Sequence, residues 1–369
     1  MINIGFDAKR IFQNSTGLGN YSRDLVRNLK IEHPEVNCFL FGKTKERHPK
    51  YSAEFAESFN YKIISPKPFQ PYVWWRRFGL SYALKKLDIF HGLSNEMPTI
   101  NRALKIKKVI SIHDVIHKIY PKHYSFIDRQ FYHQKILHGT KMADKIIAIS
   151  ENTKQDLILH YRLDENKIEV LPPNIHPVFF EKNSSQIENS PALPKKYFVV
   201  IGSITPRKNL LGLIEAYRLI HQKLATKVVV IGHGRDYLRK CKEKIAAYHL
   251  KEKFHFLSNV KSMEMLRHIL SESEGLLYPS FYEGFGIPPI EAMLCRIPVL
   301  CSNVSSMPDA TNHLASYCDP KDVEDISKKI LDLQSVSPQT LVKAEQFAMN
   351  TYNRKNLSKK LMDIYQSLF

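Results

Sequence analysis

The chain has 369 residues, 43% of them apolar and 11% aromatic, so it packs cores rather than staying disordered and is long enough for two α/β domains. Lys and Arg outnumber Asp and Glu by 54 to 36, a net charge of +18 that favours anionic partners. No apolar run nears the ~20 residues of a membrane span, and no zinc-finger or RNP pattern points to nucleic acid.

Met1 leads directly into Ile2-Asn3-Ile4-Gly5-Phe6, without a basic leader or cleavage signal. The five cysteines, Cys38, Cys241, Cys295, Cys301 and Cys318, are scattered and form no C-x-x-C. Both features predict a reduced, cytoplasmic protein. Ile2–Asp7 reads as a strand, followed by a loop with Gly17 and Gly19 and an amphipathic helix near Asn20–Lys30. Val36–Phe41, Lys62–Ser65, Leu87–Gly92, Lys108–His113 and Lys145–Ser150 read as further strands, with Ser150 capping the helix that starts at Glu151. Residues 61–150 hold 16 Lys and Arg against 5 Asp and Glu, so the basic surplus sits in this half.

Leu171-Pro172-Pro173-Asn174, the polar stretch Glu181–Ser190 and Pro191 and Pro194 mark a linker. The pattern then restarts, with strands at Tyr197–Ser203, Lys227–Gly232, Phe254–Leu257, Leu276–Pro279 and Pro298–Ser302. Helices are predicted at Leu210–Gln222, near Arg235–Tyr248, near Met263–Ser271 and at Ile287–Leu294, with a helical tail from Val323 to Phe369. The fold class is therefore α/β: two doubly wound Rossmann-like domains facing across a cleft, the expected place for a ligand. The boundaries read as 1–173 for the first domain, 174–195 for the linker, 196–350 for the second domain and 351–369 for a last helix.

Five segments carry chemistry. Tyr278-Pro279-Ser280-Phe281-Tyr282-Glu283-Gly284-Phe285-Gly286-Ile287-Pro288-Pro289-Ile290-Glu291 runs from a strand into a helix. Glycines admit close backbone approach, free N–H groups at the helix start suit phosphate or sugar oxygens, and two carboxylates suit vicinal hydroxyls. The bland alternative is a tight turn with Glu283 as a cap and Glu291 solvated. Gly202-Ser203-Ile204-Thr205-Pro206-Arg207-Lys208-Asn209 also joins a strand to a helix. Cations there oppose the helix dipole but suit a diphosphate. Gly17-Leu18-Gly19 reads either as a close approach to the ligand or as an ordinary βα turn. His113, before Asp114, ends a strand and either bonds a sugar or is a satisfied structural histidine, and His91 is a weaker candidate of the same kind. Trp74, Trp75, Arg76 and Arg77, followed by Lys85-Lys86, suit a membrane interface or an aromatic core helix with basic edges. No Asp-x-Asp occurs, so no metal is expected, and Arg207 and Lys208 would neutralise a leaving diphosphate.

These residues resemble the family 4 retaining glycosyltransferases of the GT-B fold, over nearly the whole chain from Gly5-Phe6-Asp7-Ala8 to the helical tail. The most specific part is the E-x7-E segment Glu283–Glu291 with Arg207-Lys208 earlier in the same domain. The resemblance is nearest to the mannosyltransferase branch of polysaccharide and O-antigen synthesis. It implies an acceptor-binding first domain and a second domain holding a nucleotide sugar, GDP-mannose as the best match, with GDP-fucose, a UDP-hexosamine or a deoxythymidine-linked sugar left open. Glu291 would hold the ribose, and Arg207 and Lys208 the diphosphate. Glu283, Gly284, Phe285, Gly286 and Ile287, with Gly17, Gly19 and Gly202, would line the rest of the donor site. His113, Glu283, Arg207 and Lys208 would be catalytic. No cofactor is implied. The acceptor would be a glycan or lipid-linked glycan, met at the inner face of the cytoplasmic membrane through an anionic surface, and the last helix would cross back to the first domain. Leu257-Ser258-Asn259-Val260 departs from the usual glycine near the base. A sugar-nucleotide 2-epimerase of the same fold and a non-catalytic nucleotide-sugar-binding module are the alternatives.

Overall fold

A computed structural model describes residues 2–14, 17–43, 61–66, 69–76, 80–101, 103–181, 191–258, 260 and 262–369. The chain divides into two compact units, residues 1–174 with 354–369, and residues 175–353.

The first unit is built on β1 (Asn3–Asp7), β2 (Asn37–Phe41), β3 (Lys62–Ile64), β4 (Ile89–Gly92), β5 (Lys107–Ile112), β6 (Lys145–Ala148) and β7 (Ile168–Val170). Every pairing is parallel and the spatial order is β3-β2-β1-β4-β5-β6-β7. The chain winds outward from β1 to β3 and then returns to β4, so the switch point lies between β1 and β4, where Phe6 stands beside His91. Phe90, Ile110 and Ile146 from the sheet bury against Leu84, Ile136 and Leu157 from the covering helices. The strands read as apolar runs because both faces are covered. The helices used below are α1 (Lys9–Gln13), α2 (Gly17–Glu32), α3 (Phe126–Met142) and α4 (Glu151–Tyr161). Ser150 caps α4 as its sequence predicts, its Oγ accepting from the Thr153 amide at 3.0 Å.

The second unit holds β8 (Tyr197–Ile201), β9 (Lys227–Ile231), β10 (Phe254–Leu257), β11 (Gly275–Tyr278), β12 (Val299–Ser302) and β13 (Ser316–Cys318). Their order is β10-β9-β8-β11-β12-β13, again parallel throughout, with the switch point between β8 and β11. Around them lie α5 (Leu210–Ile220), α6 (Asp236–Ala247), α7 (Met263–Ser271), α8 (Ile287–Leu294), α9 (Val323–Asp332) and α10 (Pro338–Thr351). Residues 175–181, read from sequence as linker, are part of this unit. Val178 and Phe179 are buried there. Residues 182–190 of the expected linker lie outside the described residues.

The last helix, α11 (Arg354–Gln366), belongs to the first unit. It buries Leu357, Leu361 and Tyr365, and Arg354 pairs with Glu32 at the end of α2. Two strands escape a sequence reading, β7 and β13. Each is an edge strand of three residues, too short to show a period. The expected loop at Gly17 and Gly19 is instead the first turn of α2.

Candidate active site

Parallel pairing of β8 with β11, Gly275 beside Phe198, brings the carboxyl ends of these strands together. The two most specific sequence motifs leave the sheet at those ends. Gly202 follows β8 with φ +130°, and a Cβ there would stand 3.3 Å from Lys208 Cε. Glycine therefore serves both the turn and the path of the lysine. A single 3-10 turn, Pro206–Lys208, presents the two cations. Asn209 then takes the left-handed conformation, φ +58°, and its Nδ2 donates to the Pro320 carbonyl at 2.7 Å before α5 begins. The Phe281 amide donates to the Arg207 carbonyl at 2.9 Å, tying one loop to the other.

The side chains meet at Glu283. Arg207 Nη1 lies 2.7 Å from its Oε2, and Lys208 Nζ 2.7 Å from its Oε1. Arg207 also donates to the Tyr282 carbonyl, and Lys208 to the Tyr278 hydroxyl, over whose ring Nζ sits 4.3 Å from the centroid. Burial pushes the Glu283 carboxyl up, but Lys208 and then Arg207 outweigh it and hold the group at about 2. The Tyr278 phenol is driven well above its ordinary range, by burial first and then by Glu283. It stays neutral and accepts from the ammonium. One carboxylate faces two cations, so the group keeps one positive charge in excess beside buried surface.

The turn beyond Glu283 is held from below. Ser306 Oγ donates to the carbonyls of Glu283 and Phe285 at 3.0 and 2.9 Å, and the Glu283 amide donates to Ser305 Oγ at 3.1 Å. The carbonyls thus point into the protein. Among the described residues the amides of Phe285, Gly286 and Ile287 make no hydrogen bond. Gly286 has φ +97°, and a Cβ there would lie 2.3 Å from Met307 Cε. It caps α8, whose next residues include Pro288 and Pro289, placed where the helix lacks N–H partners. Glu291, in the second turn of α8, is buried rather than solvated and acts electrostatically on Tyr278. The four groups Arg207, Lys208, Glu283 and Glu291 thus belong to one neighbourhood of the second unit.

In the first unit, His113 follows β5. Its Nε2 lies 2.9 Å from the Leu93 carbonyl, which can only accept, so Nε2 carries the proton and Nδ1 is the acceptor nitrogen. Burial, and more weakly the Arg10 charge, lower its pKa to about 4, so it is neutral at pH 7. The Tyr21 ring stands edge-on at 4.4 Å. Tyr21 is fixed by a buried chain: its hydroxyl is 2.8 Å from Ser111 Oγ, that oxygen is 2.8 Å from His91 Nε2, and His91 Nδ1 is 2.7 Å from the Tyr365 hydroxyl of α11. His91 is therefore an internal link in the chain.

The remaining sequence candidates divide. A Cβ on Gly19 would lie 1.9 Å from the Asn14 carbonyl oxygen, so the packing of its own loop already requires glycine there. A Cβ on Gly17 would meet nothing within 4 Å among the described residues, so this position stays open to a ligand. The reading of Trp74 to Arg77 as one membrane-facing group needs correction. Trp74 is 65% exposed, but Trp75 is 5% exposed and packs in the core. Arg76 turns inward, paired with Asp7 and with Glu96 at 3.4 Å. Adjacent residues on one helical turn point in different directions, so Trp74 faces outward while Trp75 and Arg76 face inward. Arg77 lies outside the described residues, as does Asn259.

Sequence reading gave no role to Tyr278, Ser305, Ser306 and Met307, although Tyr278 stands in the strongest motif. It also missed an ion network at the switch point of the first unit. Glu96 receives Lys9 at 2.9 Å, Lys135 at 2.6 Å and Arg76, while Asp7 takes the other side of Arg76. No spacing signals it, because its members come from four distant segments.

Comparison with known proteins adds two family models, which together cover most of the chain. Residues 15–178 match "Glycosyltransferase Family 4" and residues 182–354 match "Glycosyl transferases group 1". The chain is a family 4 glycosyltransferase. This transferase is 27% identical to O-antigen chain mannosyltransferase B of Escherichia coli, with 96% of each chain covered. It is 23% identical to O-antigen chain mannosyltransferase RfbU of Salmonella typhimurium, with 89% and 90% covered. Its fold is GT-B, shared with Anabaena HepE solved with UDP-glucose (TM-score 0.75, 14% identity, all of both chains). It is shared too with WaaG, a glycosyltransferase of lipopolysaccharide biosynthesis (TM-score 0.69, 20% identity, 99% of both chains). A transferase replaces the epimerase and the binding module as the reading of the chain. No described helix of the transferase is long and apolar enough to cross a membrane. Among its described residues no group of three His, Cys, Asp or Glu is arranged to hold a metal.

Proposed function

We propose that this glycosyltransferase moves mannose from GDP-mannose to a glycan or lipid-linked glycan, without a metal and with retention at the anomeric carbon. The buried Arg207–Glu283–Lys208 group supports this most strongly. As the glycosidic bond breaks, negative charge grows on the diphosphate. A guanidinium and an ammonium fixed beforehand by Glu283 neutralise it without rearranging, the task a divalent ion performs elsewhere. The unengaged amides of Phe285–Ile287 and the Glu283 carboxylate suit the hydroxyls of the transferred hexose, and Glu291 suits the ribose. His113, neutral with Nδ1 as acceptor, serves a sugar hydroxyl. Attack comes from the face the diphosphate leaves, and no carboxylate acts as nucleophile. Mannose is favoured by the mannosyltransferase names of the two bacterial relatives. The work is done on the cytoplasmic face of the membrane, with no nucleic-acid partner and no cofactor.

A thermal-shift series with GDP, UDP, dTDP and their sugars tests the donor. GDP and GDP-mannose should stabilise the protein by about 2.7 kcal/mol at a hundredfold excess over Kd. Stabilisation by UDP or dTDP alone overturns the choice of base. Turnover that survives EDTA and an α-configured product from the α-linked donor are expected. Loss of turnover in EDTA, or a β-product, removes those parts of the reading.

A further inference from the structure

The basic half of the chain carries a helix that the catalytic reading leaves unused. Of the 17 residues of α3, only Ile136, Gly139 and Thr140 are buried, all in its second half. Gly139 lets that half settle on the sheet, since a Cβ there would lie 2.3 Å from Ile110 Cδ1. The first half stands in solvent with large apolar side chains: Phe126, Ile127 at 78% exposure, Phe131 at 56%, and Tyr132. Ile127 and Phe131 are four residues apart and share one face. Cations accompany these rings. Lys135 Nζ lies 4.2 Å from the centre of Phe131, and the Arg129 guanidinium 5.5 Å from that of Phe126. Beside them His117, Lys118, Arg129 and His133 line a hollow of about 250 Å³. There Arg129 Nε is buried without a hydrogen-bond partner among the described residues. Residues 117–142 hold five Lys and Arg and one acidic residue, Asp128.

We propose that the first half of α3 is the surface with which the protein docks on an anionic phospholipid bilayer. Ile127 and Phe131 enter the acyl boundary, Lys118, Lys122 and Arg129 stay at headgroup level while Lys135 remains paired with Glu96, and the hollow takes a lipid phosphate. Apolar rings mixed with cations on one helix face have the composition of an interfacial helix. A basic stretch of this kind is drawn to anionic lipid and weakened by salt. A second copy of the chain fits poorly, because an isologous contact sets the same cations against each other. The inference rests on the membrane reading above and replaces Trp75 and Arg76 as the contact, both of which point inward.

Co-sedimentation of the full chain with phosphatidylglycerol-containing vesicles tests it, against phosphatidylcholine vesicles. Wild type should bind the anionic vesicles, lose binding as salt rises and leave the neutral ones. Ile127→Ser with Phe131→Ser should weaken binding about tenfold or more, and Lys118→Glu with Lys122→Glu should abolish the salt-sensitive part. Both variants should keep wild-type donor-induced thermal shifts, which shows that they fold and leaves the transferase reading intact. Wild-type binding that the variants retain overturns this surface but not membrane contact. Absence of wild-type binding overturns both. A dimer in sedimentation velocity that Ile127→Ser with Phe131→Ser dissolves assigns the face to a second copy instead.

Discussion

The two switch points of this molecule make a natural pair. Both gather buried carboxylates and cations at the carboxyl ends of parallel strands. In the first unit Asp7 and Glu96 face Lys9, Arg76 and Lys135. In the second, Glu283 faces Arg207 and Lys208. Each keeps one cation in excess, and Glu96 and Glu283 are both held at about 2, against the push of burial, by the cations around them. The difference lies in what stands beside the charges. The first network ties together segments from residues 7, 9, 76, 96 and 135, and so acts as a clamp. The second sits on two short loops next to a glycine turn with unengaged amides. Charge at a strand end alone therefore does not single out a ligand site, and the unengaged amides are what set the second pair of loops apart.

The largest effect should come from Glu283→Gln. It frees two cations from their carboxylate, and turnover should fall by about 10²–10³ while the fold loses on the order of 3 kcal/mol. Arg76→Met should cost a similar amount of stability, because buried Asp7 loses its ion-pair partner while Glu96 keeps Lys9 and Lys135. Donor affinity, measured by calorimetry, should stay at the wild-type value, and an equal loss of affinity would erase the contrast between the two sites. Acid should separate the units next. His91 and His113 are held at about 3 and 4, below the ordinary 6.5. An unfolded chain takes up those protons first, so the stability these histidines contribute is present above pH 6.5 and lost as pH falls towards 4 and 3. The contributions of Glu96 and Glu283 are present above 4.5 and lost only as pH falls towards 2. His117, lowered to about 4 by burial, adds to this loss, and Asp24, raised to about 6 by burial, offsets part of it; hydrogen exchange between pH 6.5 and 4.5 should therefore show the first unit losing protection before the second. The smallest effect should be Gly17→Ala. Nothing lies within 4 Å of the added methyl, so stability should hold, and a fall in turnover would show that a ligand comes close there.

Most of the architecture was legible in the sequence, since apolar runs between turn residues are what a sheet covered on both faces requires. The strand–helix boundaries around Arg207 and Glu283 were legible for a related reason. The candidate site residues are contiguous there, and glycines with φ of +130° and +97° punctuate them. Less could be read where three dimensions bring distant residues together. The chain from Tyr365 through His91 and Ser111 to Tyr21 spans nearly the whole sequence. The inward turn of Arg76 depends on Asp7 and Glu96, neither of which its own neighbours announce. At Gly19 a close backbone approach looks the same in sequence whether the neighbour is a ligand or, as the structure shows, the Asn14 carbonyl.

The proposed grip of Arg207 and Lys208 on a diphosphate is tested most directly by titrating GDP and GMP into wild type, Arg207→Ala and Lys208→Ala. Wild type should prefer GDP by about tenfold or more, the value of one charge-assisted contact. Each variant should lose most of that preference while binding GMP as before. An undiminished preference for GDP in both variants would contradict the account.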